Sequence, residues 1–300
     1  MVIFIEKLKS QIKEKQSLII GGIDPRPALI PQCFKEKNKE SECKLILDFY
    51  QEALKATLPF IVGVKLNIAF FERLGIEGLK TFKEIINLSH SLKLAVIADI
   101  KRGDISSSAE AYADAFLGKI NSNEPSPFNV DAVTVNPYLG FDTLEPFAKA
   151  CASTGKGMFV LVRTSNPGAR LIQDAVVNES KTVSLAVAEW VKSKDTLAAD
   201  REGSSGIGAV LGATYLEELK SFSSLMDRNV ILIPGVGAQG ASLKEVVKAI
   251  PKRVGATVIN ISRALFSRAE YKELSLSKLK EELTHTAKVF AQETKDTAVR

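Results

Sequence analysis

Three hundred residues with 45% hydrophobic and 25% charged content can bury one large core, so a single domain over residues 1–300 is expected. The net charge of +5 and pI near 8.9 would suit a nucleic-acid or phosphate partner, but Lys and Arg are interleaved with Asp and Glu, which supports only a preference for small anions and no nucleic-acid partner. No stretch approaches the ~18 consecutive apolar residues of a membrane span, and Cys33, Cys43 and Cys151, with no Cys-x-x-Cys pair, argue against a disulfide framework or structural zinc site.

Met1–Lys15 alternates apolar residues with Lys, Glu and Gln at helical spacing, which lacks the apolar core of a signal peptide and points to the reducing cytoplasm. Short β-branched runs then alternate with amphipathic segments, the pattern of parallel strands covered by helices. Leu18–Ile23 and Phe60–Leu66 read as strands, with helices at Lys44–Leu58 and Gly78–Leu92. Leu94–Ala98, Ala132–Val135 and Met158–Val162 continue the strands, followed by helices at Ser106–Leu117, Leu144–Ala152 and Lys181–Lys194. Ile207–Leu211, Val230–Ile233 and Thr257–Ile261 bring the strands to eight, with helices at Thr214–Ser221, Leu243–Ile250 and Leu276–Phe290. Alternation alone leaves an open doubly wound sheet in play. Eight repeats over this length favour an α/β fold closed as a single (β/α)8 TIM barrel. Pro25–Glu42, Asn121–Asn129 and Thr196–Ser205 read as loop insertions, and no internal repeat is present.

In a barrel the reactive groups come from the C-terminal ends of strands and the loops that follow them. Those positions are polar here. They carry Asp24 in Gly-Gly-Ile-Asp-Pro-Arg-Pro, Lys65 and Asn67 in Gly-Val-Lys-Leu-Asn, and Asp99, Lys101 and Asp104 in Ala-Asp-Ile-Lys-Arg-Gly-Asp. Asn136 in Val-Asn-Pro-Tyr-Leu-Gly, Thr164 and Ser165 before Asn-Pro-Gly-Ala, the glycine-rich Gly235–Gly240 and Ser262-Arg263 follow.

Asp99 and Lys101 are two apart at the end of an apolar strand, so period-two geometry points both to one face, and Gly103 lets the chain turn to present Asp104. Lys65 ends the preceding strand. Two ammonium and two carboxylate groups can then form an array, nearly neutral overall, in which each charge holds its neighbours ionised. A solvated turn would explain the charged sextet by itself, but not the matching polar groups on five further strand ends.

Asp99-x-Lys101-x-x-Asp104 with a Lys on the previous strand resembles the signature of the orotidine monophosphate decarboxylase superfamily. Gly22-Ile23-Asp24-Pro25-Arg26-Pro27, Asn136-Pro137-Tyr138, Ser165-Asn166-Pro167-Gly168 and Gly235-Val236-Gly237-Ala238-Gln239-Gly240 are similar to its longer bacterial-type branch, over a span from about Ser17 to Leu265. The resemblance implies a cofactor-free and metal-free carboxy-lyase that converts orotidine 5′-phosphate to UMP and CO2. It makes Lys101 the proton donor to C6, sets Asp99 against the substrate carboxylate, and has Lys65 bridge Asp99 and the ribose. It assigns ribose contacts to Asp24, the pyrimidine edge to Ser165 and the phosphate to Gln239 and Arg263. Asn67, Ser108, Asn136, Thr164 and Ser262 complete the substrate-binding set it implies. Asp104 would come from the partner subunit, so the implied assembly is a homodimer with shared sites.

The chemistry fits that implication. Loss of CO2 leaves a carbanion with no cofactor to delocalise it, so the protein must supply preorganised positive charge and then a proton. The backbone amides of a glycine-rich turn at a helix start and an arginine at the last strand suit a phosphate.

Three rival readings carry less. Gly235-Val-Gly237-Ala-Gln-Gly240 matches the dinucleotide pattern, but only one strand follows it, and Asn260, Ser262 and Arg263 stand where an acidic ribose-binding residue belongs. Arg102-Gly103-Asp104 would be an adhesion tripeptide only in a secreted chain. A Mg2+-dependent hexulose-phosphate synthase-like aldolase of the same superfamily would share the aspartate-lysine signature, but Lys65, Ser165 and Gln239 favour the nucleotide. His90 and His285 read as surface or packing residues and Trp190 as core-facing. Arg163 reads equally as a site residue or a barrel-rim ion pair, and Asn136-Pro137-Tyr138 as a site contact or a rigid turn.

Overall fold

Eight short runs of buried aliphatic residues form the strands of a closed barrel in a computed structural model, which describes residues 3–38, 41–121, 124–178, 180–236 and 241–298. The strands are β1 (Ile19–Ile23), β2 (Gly63–Asn67), β3 (Ala95–Arg102), β4 (Ala132–Val135), β5 (Gly157–Arg163), β6 (Ser205–Leu211), β7 (Asn229–Ile233) and β8 (Thr257–Ile261). Their order, β1-β8-β7-β6-β5-β4-β3-β2, puts every strand beside its sequence neighbour. Every residue of β1, β4, β6, β7 and β8 is buried, as parallel strands covered on both faces require.

The helix α1 (Phe4–Lys15) precedes β1, and one principal helix follows each strand. These are α2 (Glu42–Thr57), α3 (Gly75–Ser91), α4 (Ser106–Phe116), α5 (Glu145–Thr154), α6 (Val183–Lys192), α7 (Leu216–Leu225), α8 (Leu243–Ala249) and α9 (Leu276–Ala298). The eight strands and eight helices expected from the sequence are all present. No described helix is long and apolar enough to cross a membrane.

By internal contacts the described residues divide into two compact units, one within 11–99 and 260–298 and the other within 3–10 and 100–259. In the first, edge-to-face aromatic pairs run from Phe34 through Phe49 and Tyr50 to Phe266, with ring centroids 5.0–5.7 Å apart. Ser41 caps α2 by accepting from the Lys44 amide. In the second, Phe4 packs edge-to-face on Phe159, while Lys7 pairs with Asp131 at 2.8 Å and Lys9 with Asp200 at 2.9 Å. A reciprocal capping box between Ser242 and Glu245 starts α8.

Four local expectations are corrected. β3 runs on to Arg102 instead of ending at Ala98, because Asp99 is neutralised inside the strand and the Arg102 carbonyl accepts from the Asn136 amide. α6 begins at Val183, not Lys181: Lys181–Thr182 pairs antiparallel with Val176–Asn178, and the Thr182 side chain caps the helix by accepting from the Leu185 amide. α9 extends past Phe290, since Ala291 and Thr294 continue its buried stripe. Trp190 is half-buried, not core. The inward stripe of α6 is Ser184, Val187, Ala188 and Val191, which leaves Trp190 stacked on Phe141 with Lys194 Nζ above its ring.

Candidate active site

In the unit of residues 11–99 and 260–298, polar groups gather where β1, β2 and β3 end. Parallel register sets Gly22 beside Lys65 and Asn67 beside Asp99. The Lys65 ammonium donates to Asp99 Oδ2 at 2.5 Å, with only 6% and 7% of the two side chains exposed. Burial alone would depress the lysine pKa. The charges of Asp99 and Asp24 and the hydrogen bond to Asp99 outweigh it and hold the ammonium above its ordinary value.

Asp24 follows β1 directly. Ser262, at the end of β8, sends its hydroxyl to Asp24 Oδ2 at 2.5 Å and lies 3.1 Å from the Gly22 carbonyl oxygen. That approach depends on glycine at 22, where a Cβ would stand 2.7 Å from Ser262 Cβ and 2.9 Å from Asn260 Oδ1. Asp24 Oδ1 and Asn260 Oδ1 are both buried without a hydrogen-bond donor among the described residues. Tyr50 is buried, and burial, reinforced by the Asp24 charge, pushes its phenol well above the ordinary range.

In the unit of residues 100–259, β3 ends in a strained turn. Lys101 has φ 46° and Ser106 φ 45°, and the Lys101 amide donates to Thr134 Oγ1 at 3.0 Å. The left-handed backbone at Lys101 follows directly on the buried Asp99–Ile100 stretch, and the lysine side chain is exposed. Asp104 turns its carboxylate to the following amide, accepting from Ile105 N at 2.8 Å.

The loop after β5 is braced by side chains. Gln173 accepts from the Thr164 amide at 3.0 Å and donates to Thr164 Oγ1 at 2.8 Å, and Thr164 in turn donates to Asn166. Arg163, 3% exposed, pairs with Asp174 at 2.5 Å and Glu218 at 2.6 Å, which makes it a rim ion pair. Ser165 therefore sits on a fixed frame and lies against the backbone at Gly212 and beside Gly235, whose φ of 82° marks the turn after β7.

Of the residues expected from the sequence, the fold gathers Asp24, Lys65, Asp99 and Ser262 in one cluster and Thr164 and Ser165 in another. Asn67 accepts from the Ala69 amide at 3.3 Å and Asn136 from the Tyr138 amide at 3.1 Å, so both cap local turns. Ser108 and Arg263 are exposed. Gln239, with the rest of residues 237–240, lies outside the described residues. Sequence reasoning missed Gln173, Thr134 and Tyr50. Gln173 meets Thr164 across nine positions with no periodic signal, and Tyr50 was indistinguishable from any buried aromatic on its helix. Among the described residues, no group of three or more His, Cys, Asp and Glu is arranged to hold a metal ion.

A buried ammonium between carboxylates offers fixed charge in a site shielded from water, the arrangement that stabilises a developing anion without reorganising solvent. The profile of the Orotidine 5′-phosphate decarboxylase / HUMPS family matches residues 46–274. The orotidine 5′-phosphate decarboxylase of Rhodopirellula baltica is 38% identical over 281 residues, covering 92% of each chain. That of Petrotoga mobilis is 38% identical over 265 residues, covering 88% of each. The structure of Leishmania donovani OMP decarboxylase superposes with a TM-score of 0.72 at 27% identity, covering 97% of this chain and 99% of the other.

Proposed function

The chain belongs to the Orotidine 5′-phosphate decarboxylase / HUMPS family, and we propose that its own reaction is the conversion of orotidine 5′-phosphate to UMP and CO2, the last step of pyrimidine nucleotide synthesis. The observation that carries this is the buried Lys65–Asp99 pair at the end of β2 and β3, on the same strand as Lys101. The named relatives favour the decarboxylase over a Mg2+-dependent synthase.

In this reading Asp99 faces the substrate carboxylate and Lys65 holds it ionised and meets the ribose. As the C6–CO2 bond breaks, its electron pair stays on C6, and Lys101 stabilises that charge and then donates the proton. Asp24 takes ribose hydroxyls, Ser165 reads the pyrimidine edge, and Gln239 and Arg263 hold the phosphate. Asn67, Ser108, Asn136 and Thr164 line the substrate from the remaining strand ends, and Ser262 serves the same pocket through its hydrogen bond to Asp24. No metal or cofactor takes part.

The reading extends to assembly as a homodimer in which Asp104 serves the site of the partner subunit. Exposed apolar side chains on the same unit support it: Ile105 and Tyr112 of the turn and helix after β3, and Tyr138, Leu139 and Phe141 after β4. The cytoplasm is the proposed compartment, and residues 1–300 the single functional domain.

The test is an absorbance assay of orotidine 5′-phosphate loss by chelator-treated protein. Full turnover in EDTA is expected. Activity that vanishes with chelator and returns with Mg2+ would transfer the chain to the sugar-phosphate synthase reading.

A further inference from the structure

Asp24 has two carboxylate oxygens with different surroundings. Oδ2 takes the Ser262 hydroxyl at 2.5 Å, whereas Oδ1 is buried and has no donor among the described residues. Ser262 has one proton to give and two acceptors in reach, and the distances, 2.5 Å to Asp24 against 3.1 Å to the Gly22 carbonyl, assign it to the carboxylate. That bond locks the Asp24 side chain in one rotation and leaves Oδ1 as its receiving atom. The backbone cooperates, since Ser262 reaches Asp24 only past a glycine.

We propose that Ser262 is a positioning residue which fixes Asp24 so that Oδ1 accepts a ribose hydroxyl, and that it thereby sets the preference of this site for ribonucleotides over deoxyribonucleotides. The inference rests on the ribose-binding role proposed for Asp24 and deepens it. An unbraced carboxylate can rotate and offer either oxygen, so part of the binding free energy is lost to ordering it. A braced one meets the hydroxyl already aligned. Ser262 acts here through Asp24 and not by touching the nucleotide.

The experiment is calorimetric binding of UMP, 2′-deoxy-UMP and 3′-deoxy-UMP to the parent, Ser262→Ala, Ser262→Thr, Asp24→Asn and the Asp24→Asn/Ser262→Ala double variant. Loss of a charge-assisted hydrogen bond of this kind weakens UMP binding by about tenfold in Ser262→Ala. The penalty should fall below about twofold for the deoxynucleotide that lacks the hydroxyl received by Oδ1, and likewise in the Asp24→Asn background. Ser262→Thr, which keeps the hydroxyl, should restore most of the affinity; it also controls for a folding defect in the alanine variant. An equal penalty on all three nucleotides, or one that persists when Asp24 is already Asn, overturns the proposal. A parent chain that neither binds UMP nor consumes orotidine 5′-phosphate removes the proposed reaction itself, an outcome distinct from a competent parent whose Ser262 penalty ignores the sugar.

Discussion

Lys65 Nζ lies 2.5 Å from Asp99 Oδ2 across neighbouring strands, and neither side chain has appreciable access to water. Such a pair gives up the hydration of both charges, so its partners become indispensable to each other. Asp99→Ala removes the hydrogen-bonded partner of the buried ammonium and leaves only the charge of Asp24 to offset it, and urea denaturation should register a loss of about 3–5 kcal/mol. Lys65→Met combined with Asp99→Leu should recover most of it. A single variant as stable as the parent would show that solvent compensates the lysine.

The same pair predicts a pH dependence. The Lys65 ammonium is held above its ordinary value in the folded chain, so its contribution is whole below the unfolded lysine pKa and is lost as pH climbs through the folded one. The stability gap between the parent and the Lys65→Met/Asp99→Leu variant should stay flat from neutrality to about pH 10 and change only above it. A gap that moves between pH 6 and 8 would assign the titration to another group.

Lys156 has the opposite sign. Burial brings its pKa down to about 8 despite the opposing charge of Asp131, while its ammonium donates to Asn129 Oδ1 at 3.0 Å. The folded state disfavours the charged form, a cost absent above the unfolded pKa and complete below pH 8. Lys156→Met should therefore raise the melting temperature more at pH 7 than at pH 10. An equal effect at both values would mean that the Asn129 contact, and not desolvation, governs this residue.

Lys101→Ala removes the proposed proton donor and the main stabilising charge together. A fall in kcat of at least ~10^3 is expected, by comparison with the loss of one preorganised oxyanion donor. UMP affinity should largely survive, since the proposed phosphate and ribose contacts lie elsewhere. A variant within tenfold of the parent rate would take Lys101 out of the mechanism.

If the sites are shared as proposed, Asp104→Asn and Lys101→Ala should each be nearly inactive as homodimers, because each damages both sites. Mixed dimers would hold one doubly damaged site and one intact site. With random exchange about half the dimers are mixed, which restores about a quarter of the parent activity. Subunit exchange seen by mass spectrometry with no recovery would place Asp104 in the site of its own chain.

The strands were legible because a parallel strand buried on both faces writes itself as a run of Val, Ile, Leu and Ala, as in Leu94–Ala98 and Val230–Ile233. The site was legible as residue types at strand ends: Lys65 and Asp99 meet as their positions on β2 and β3 imply. The left-handed turn at Lys101 was not, since neither Lys nor its neighbours favour φ 46° and the loop imposes it. Nor was the choice of partner for Arg163, which reaches Glu218 across 55 positions, a separation that local periodicity does not encode. Trp190 shows the same limit. An amphipathic pattern says that α6 has an inner face, and only packing decides that this ring lies at its margin.

The bond between Asp24 and Ser262 joins positions 238 apart, and the one between the Leu18 amide and Thr294 joins positions 276 apart. On a ribosome, which extends a chain by about 5–20 residues per second, the first strand waits roughly ten to fifty seconds for the segment that braces its aspartate. Synthesis thus delivers the carboxylate proposed to bind the sugar early and its brace nearly last. A nascent chain released before residue 262 carries Asp24 without Ser262, so on the proposed reading full affinity for the nucleotide arrives only after the closing strand.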